Sequence, residues 1–284
     1  MSDTKAAAFS FYDMAPGLAP MSIVDVGAAI VDRLPPYQGL LDAGHAAVIG
    51  FEPNAQAYEK LQMHPSPSRR IYPYFIGDGT AGTYHQTNVP QTGSLYPVNT
   101  SVVARFTNLP LLTVPVAQHP VQTRRLDDAV PDTEIDFLKM DVQGAELDVL
   151  RGAPRLVSTA LVVETEVEFV PLYTGQPLFA DIDGHMRSSG FQLHALRELN
   201  KYYYTPMKHP SKLLRGINQV IWADAVYFPT FERIATLPGE RILKLAALMH
   251  DLYGSVDLAL HLLQILEQRD GTSPFAAYVA RLGL

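Results

Sequence analysis

Residues 135–153 read IDFLKMDVQGAELDVLRGA, and the fold turns on how this stretch is read. The apolar start (Ile135, Phe137, Leu138) predicts a buried strand. A polar knot from Lys139 to Glu146 follows, and apolar residues then recur at helical spacing. Strand, corner and helix in that order are the unit of a parallel α/β sheet, in which ligands bind outside the carboxyl ends of the strands. Asp141 falls at that end, and Gly144 lets the backbone turn closely there. Glu146 stands in the first helical turn, where the helix dipole favours a carboxylate. That gives Glu146 a structural reading and leaves Asp141 as the carboxylate facing a ligand.

Upstream, residues 23–27 (IVDVG) predict a first strand ending in glycine. Pro35-Pro36 breaks the next segment, and a short helix over 37–43 stops at Gly44. Residues 48–52 (VIGFE) predict a second strand with an acidic end, and Asn54 caps a helix over 55–62. The result is a βαβ unit with Gly27 after one strand and Glu52-Pro53 after the next. Their spacing is near the ~20 residues expected for a ribose-binding acid. An ionised Glu52 offers two acceptor oxygens to the two ribose hydroxyls. The second and third glycines of a dinucleotide fingerprint are absent, with Ala29 and Asp32 in their region. A pyrophosphate would be poorly served, so the pattern favours S-adenosylmethionine, which carries no phosphate.

Between these units, residues 71–76 predict a third strand before Gly77-Asp78-Gly79. Asp78 at that crest either accepts the adenine amino group or merely opens a turn. Residues 83–88 and 93–97 predict an extended hairpin, with Ser94 either a ligand contact or a local cap. Asp127 and Asp128 read as turn or cap residues. Residues 102–112 read as helix then loop, and 114–121 as extended. Downstream, residues 161–168 (LVVETEVE) predict a strand whose alternation puts Glu164, Glu166 and Glu168 on one face. Three like charges there face water, or else a sulfonium, a metal or a shuttled proton. A helix over 180–190 carries His185, and a strand over 191–196 follows. Residues 197–215 predict a long loop mixing Tyr202, Tyr203 and Tyr204 with Lys201, Lys208, His209, Lys212 and Arg215, a composition that suits sugars or anions. Residues 219–228 give the last strand, with Trp222 in the core. The tail divides into helices at Gly254-Ser255 and Ser273-Pro274. Leu258, Leu262 and Ile265 widen the apolar face of its second helix, which therefore needs cover from the sheet, from a second copy in a homodimer, or from both.

Composition limits the function classes. The 284 residues are 47% hydrophobic and 18% charged, a globular balance. A net charge of −7 argues against a nucleic-acid groove. With no cysteine, disulfides, thiol catalysis and thiolate metal sites are excluded. Neither a signal peptide nor an apolar run of the ~20 residues that span a bilayer is visible, which makes the cytoplasm the expected location. Three segments are expected: a helix over 5–14 and a link within 1–20, a catalytic domain over 21–230, and a helical extension over 231–284.

Asp25-Val26-Gly27-Ala28, Gly50-Phe51-Glu52-Pro53, Thr123-x-x-Leu126-Asp127-Asp128, residues 135–153 and residues 164–190 together resemble the FkbM-type methyltransferases. The run Phe137-Leu138-Lys139-x-Asp141-x-Gln143-Gly144-x-Glu146 is close to that family's signature. The resemblance covers about residues 23–228. It implies a class I methyltransferase fold (a Rossmann-like, mostly parallel seven-stranded α/β sheet with helices on both faces), S-adenosylmethionine as donor, and O-methylation of sugars or other hydroxylated natural products. Carried over by position, Asp25, Gly27 and Ala28 would form the methionine-tail corner and Glu52-Pro53 the ribose clamp. Asp78-Gly79 would lie by adenine and Asp141 by the reacting methyl. The family's glycine loop departs here at Ala29 and Ile30. Leu34-Pro35-Pro36-Tyr37 resembles an amino-methyltransferase box but lacks its leading Asp or Asn and follows the wrong strand.

An acceptor hydroxyl needs a base or a metal. Asp141 is the expected base, with Glu164 or Glu166 across the crest and His185 as a further candidate. Asp141 with Glu164, joined by Glu166, could instead hold Mg²⁺. Two rival readings are a nicotinamide-dependent oxidoreductase, which the missing glycines oppose, and a catalytically degenerate scaffold, which Glu52 and Asp141 oppose.

Overall fold

The computed structural model describes residues 9–30, 34–63, 65–208, 216–271 and 274–284. Seven strands form one sheet: β1 (Met21–Val26), β2 (Ala46–Phe51), β3 (Arg69–Tyr72), β4 (Phe137–Met140), β5 (Val162–Glu168), β6 (Phe191–Lys201) and β7 (Val220–Pro229). Their order is β6-β7-β5-β4-β1-β2-β3, with only β7 antiparallel to its neighbours. From β1 the chain runs outward through β2 and β3, then returns to the other side of β1 as β4. The carboxyl ends of β1 and β4 therefore flank the switch point at which open α/β sheets bind ligands.

The connecting helices are α1 (Gln38–Asp42), α2 (Ala55–Gln62), α3 (Glu146–Arg151), α4 (Pro154–Thr159) and α5 (Phe179–Ser188). After β7 come α6 (Phe231–Thr236), α7 (Gly239–Asp251), α8 (Val256–Asp270) and α9 (Phe275–Leu282). Because side chains alternate along a strand, the central strands supply two cores. Val24, Leu138, Val163 and Ala225 pack under Leu147, Leu150, Leu156, Ile182 and Met186 of α3, α4 and α5. On the other face, Ile23, Phe137, Val162 and Val226 pack under Ile242, Leu245, Met249 and Leu262 of α7 and α8. Helices α7 and α9 pack on α8, with Leu258 and Leu260 resting on that same core. The large apolar side chains left exposed among the described residues, such as Leu34, Met63 and Leu111, lie outside α7 and α8. Among the described residues no helix is long and apolar enough to cross a membrane.

Local signals behave as their chemistry requires. Asn54 accepts from Ala57 N at 3.0 Å and caps α2. Gly44 ends α1 with φ +76°. Asp127 accepts from Arg155 N at 2.8 Å and Leu156 N at 3.0 Å, so it caps α4 across the chain.

Some expectations are corrected. The strand over residues 83–88 belongs to Ala81–Thr87, which pairs antiparallel with Pro115–Gln122 and meets 93–97 only through a His85–Ser94 bridge. A hairpin with the nearer segment was expected, but that segment is drawn to the crest instead. The strand over 71–76 is two pieces, Arg69–Tyr72 in the main sheet and Ile76–Gly77 paired with Arg124–Arg125. Strand β6 continues to Lys201 through bulges against β7, which shortens the expected loop from its start. The helix expected over 5–14 is a single 3-10 turn, Phe11–Asp13, among the described residues, and Lys5 lies outside them. His209, Lys212, Arg215, Asp32 and Ser273 also lie outside the described residues.

Candidate active site

The carboxyl ends of β1, β2 and β4 are drawn close by backbone bonds. Gly27 N and Ala28 N donate to Phe51 O at 2.9 and 3.0 Å, and Asp141 N donates to Val26 O at 2.9 Å. Gly27 has φ +80°, and a Cβ there would overlap the Asp141 carbonyl, so only glycine lets the two corners meet. Beside them opens a cavity of about 280 Å³ whose lining includes Gly27, Glu52, Pro53, Ser94 and Asp141, with Phe51, Tyr74, Phe75 and Ile76 as apolar wall.

Glu52 is fixed before any ligand arrives. One carboxylate oxygen accepts from Asn54 N at 2.8 Å, the other from Ala29 N at 3.1 Å. Burial pushes its pKa up, the two N–H donors oppose this, and the Asp25 and Asp141 charges push it up further. A carboxylate has about four lone-pair sites, so two donors leave room for two ligand hydroxyls.

The Asp141 corner is held by side chains from four segments. Gln143 takes φ +56° and its amide donates to Asp141 Oδ1 at 2.9 Å and to Glu166 Oε1 at 2.8 Å. Ser94 Oγ donates to the Gln143 carbonyl at 2.6 Å. Tyr173 Oη donates to Gln143 Oε1 at 3.3 Å and to Thr92 O at 3.0 Å. Beneath the corner Glu146 is fully buried, and Val142 N donates to its Oε1 at 2.8 Å. Its Oε2 and the Oε2 of buried Glu168 have no partner among the described residues. Burial is the main cause that raises the Glu146 pKa to about 7; backbone donors oppose it and the Asp141 charge adds to it. Burial likewise holds Glu166 and Glu168 well above the carboxylate range, with neighbouring carboxylates adding to it.

The structure thus brings Gly27, Glu52, Pro53, Ser94 and Asp141 to one cavity, with Glu166 one amide away. It does not bring the other candidates there. Asp25 is buried in the sheet, accepting from Tyr37 Oη at 2.5 Å and Lys139 Nζ at 3.2 Å; burial raises its pKa while Lys139 opposes. It does not line the cavity. Ala28 packs on Leu61 and Ile71. Asp78 is exposed and accepts from Thr80 N at 2.9 Å and Thr80 Oγ1 at 2.6 Å, bonds that lower its pKa. This geometry supports the turn reading, and Asp78 is not among the residues that line the cavity. Gly79, at φ +90°, lets the chain pass Arg125. His185 lies on α5, whose Ile182 and Met186 enter the sheet core, and it does not line the cavity; burial and then Arg151 lower its pKa. Glu164, 8% exposed, accepts from Tyr253 Oη at 2.9 Å. Trp222 is half-buried and packs on Tyr202 at 5.2 Å. Among the described residues no group of three or more His, Asp or Glu is arranged to hold a metal ion.

Sequence reasoning passed over Gln143 and Tyr173 as site residues, and it set Glu146 aside. A glutamine beside a glycine is an ordinary turn signal. Only its position between two carboxylates gives it a role.

The Methyltransferase FkbM domain matches residues 25–193. The chain is 30% identical over 147 residues to a 2-O-methyltransferase, NoeI, of Sinorhizobium fredii, an alignment that takes in 49% of this chain and 60% of that protein. Among solved structures it is similar to the precorrin-6y C5,15-methyltransferase of Geobacter metallireducens (10% identity, 77% of this chain, 85% of that one, TM-score 0.38). A second is a methyltransferase-like protein of Thermoplasma acidophilum (11% identity, 79% of this chain, 76% of that one, TM-score 0.34). The domain match takes in more than half of the chain and contains Gly27, Glu52 and Asp141, and the chain belongs to the FkbM methyltransferase family, enzymes dependent on S-adenosylmethionine.

Proposed function

We propose that this methyltransferase methylates a hydroxyl group of a sugar, a glycan or another polyhydroxylated small molecule. The observation that carries the reading is one cavity with Glu52 preset on one side and Asp141, held by Gln143, on the other. The residues present fit S-adenosylmethionine. Glu52 has acceptor sites to spare for the ribose, the Phe51–Tyr74–Phe75–Ile76 wall suits adenine, and Gly27 lines the same cavity, where the amino-acid tail would lie. When bound, the cofactor supplies an electrophilic methyl group on a positively charged sulfur.

The chain's own part is placement and proton removal. An in-line displacement gains most from fixed geometry, which the four-segment clamp on the Asp141 corner supplies. Asp141 would take the proton of the acceptor hydroxyl, and the bound cofactor would supply the methyl group that the acceptor oxygen receives. Glu166, joined to Asp141 through Gln143, helps fix the amide that holds Asp141. The similarity to a 2-O-methyltransferase supports oxygen as the atom methylated and a hydroxylated acceptor.

Calorimetry with S-adenosylhomocysteine and tritium transfer from S-adenosylmethionine to a sugar panel test this. Glu52→Gln should weaken S-adenosylhomocysteine by about tenfold or more, the scale of one charge-assisted hydrogen bond. Asp141→Asn should bind it as the parent does yet lose about 10²-fold or more in transfer. Unchanged transfer by Asp141→Asn would remove Asp141 from the mechanism.

A further inference from the structure

Residues 79–126 contain no aspartate or glutamate, and neither do residues 199–208 and 216–223, in a chain that has 29 of them. The same stretches hold Arg105, Arg124, Arg125, Lys201 and Lys208, a local +5 within a chain of net charge −7. The fold joins parts of these stretches into one lobe. Thr107 N donates to Tyr203 O at 2.9 Å, Thr205 N to Arg105 O at 2.8 Å, and Thr107 Oγ1 to Met207 O at 2.7 Å. The Phe106 and Tyr204 rings stack at 4.9 Å. Beneath them Val103, Phe106, Leu109, Tyr202 and Ile221 form a small apolar core of their own. A Cβ on Gly216 would overlap the Tyr202 backbone, and Tyr204 Oη donates to Gln219 Oε1 at 2.9 Å, so Ile217 lies alongside.

The outside of this lobe is apolar as well as basic. Of the twelve large apolar side chains exposed among the described residues, seven stand at 111–116, 199–207 and 217. Leu111, Leu199, Tyr204, Met207 and Ile217 are each half or more exposed, and Leu199 and Tyr204 line one groove with Asn218 and Gln219. Arg105 and Lys208 are exposed and Lys201 half-buried. Among the described residues none of these three cations takes part in an ion pair. Arg197 and Glu198 border the lobe and offset one another. Exposed apolar side chains among unpaired cations suit an anionic lipid surface, where the charges meet phosphates and the apolar groups enter the headgroup boundary. Mostly aliphatic side chains are poor platforms for stacking bases, which opposes a single-stranded nucleic acid.

We propose that this lobe docks the protein peripherally on an anionic membrane, with Arg105, Lys201 and Lys208 against lipid phosphates and Leu111, Tyr204, Met207 and Ile217 in the headgroup boundary. The net charge of −7 does not oppose this. Screening over about 8 Å at physiological ionic strength lets a local patch act apart from distant acids. Each cation near such a surface contributes about fivefold in partition. The lobe follows β5 at Phe169 and β6 at Lys201, so it stands at the carboxyl ends of the strands, as the cavity does. A docked molecule therefore presents that end of its sheet to the lipid.

Co-sedimentation of the full chain with phosphatidylcholine vesicles, with and without about one-third phosphatidylserine, tests this. The parent should bind the phosphatidylserine vesicles, let go as salt is raised, and leave pure phosphatidylcholine unbound. Combined Arg105→Gln, Lys201→Gln and Lys208→Gln should weaken that binding by about 100-fold. Combined Met207→Ser and Ile217→Ser should weaken it several-fold at every salt concentration, because apolar burial is not screened. Both variants should keep the parent's S-adenosylhomocysteine affinity, which shows them folded, since none of these residues lines the cavity. No vesicle binding by the parent, equal binding to both vesicle types, or undiminished binding by the three-cation variant each overturns the proposal. Sedimentation velocity reads the rival occupant: a parent dimer that Met207→Ser with Ile217→Ser dissociates, without vesicle binding, overturns the proposal in favour of a second copy of the chain.

Discussion

A buried carboxyl group short of donors prefers its proton, and that preference links Glu146 to the pH dependence of stability. Its pKa rises from 4.5 in the unfolded chain to about 7 in the fold. Between these values the folded state binds more protons than the unfolded state, so stability falls as pH rises through that window. The contribution is fully present below about pH 4.5 and gone above about pH 7. Glu166 and Glu168 are raised as well and act with the same sign. Glu146→Gln keeps the acceptor for Val142 N and removes the titration. Relative to the parent it should gain stability between pH 5 and pH 8, by an amount on the order of 3 kcal/mol. Urea unfolding across that range checks this, and a parallel pair of curves would refute it. The sequence placed Glu146 in a first helical turn, where an acid needs no special reason. In the fold it is buried and acts on Glu168 and Tyr173, which are distant in the chain, so no local pattern could reveal it.

At the scale of elements, polar side chains decide how the C-terminal helices meet the sheet. Asp136, 1% exposed, sits just before β4 and receives Arg241 and Lys244 from α7, the latter at 2.9 Å, as well as Ser22 N at 2.8 Å. Arg241 also donates to the carbonyls of Ile135 and Thr159, so one side chain ties α7 to both ends of the α4–β4 region. Asp136→Ala strands two cations in a largely buried place, and breaking such a group costs about 3 kcal/mol or more. Thermal unfolding should show that loss, with S-adenosylhomocysteine affinity kept in the folded fraction because the cavity lies at the opposite end of the strands. Helix and strand identities were legible here from period and caps. The partner of Ala81–Thr87 was not, because a hairpin is the shortest closure but the nearer segment is held at the crest by Ser94 and Gln143.

For the whole molecule, the sheet has no finished core without residues 231–284. Ile23, Phe137, Val162 and Val226 on one face are covered by α7 and α8, so removing those helices exposes a continuous apolar surface. A chain ending at residue 230 should lose cooperative unfolding or precipitate, although the family domain ends earlier; retention of a sharp urea transition would show the helices to be dispensable. The homodimer expected through these helices stays a proposal; within the chain α7 and α9 already pack on α8. The sequence by itself determined the strand–corner–helix units, the glycine at the β1 crest, the acids after β2 and β4 and the family signature, because each rests on residues close together in the chain. Only the tertiary structure decided that Glu52 and Asp141 share a cavity that Asp78 and His185 do not reach, that Gln143 joins Asp141 to Glu166, and that Tyr253 reaches Glu164. Those facts depend on strand order and register, and register joins residues that no local spacing relates.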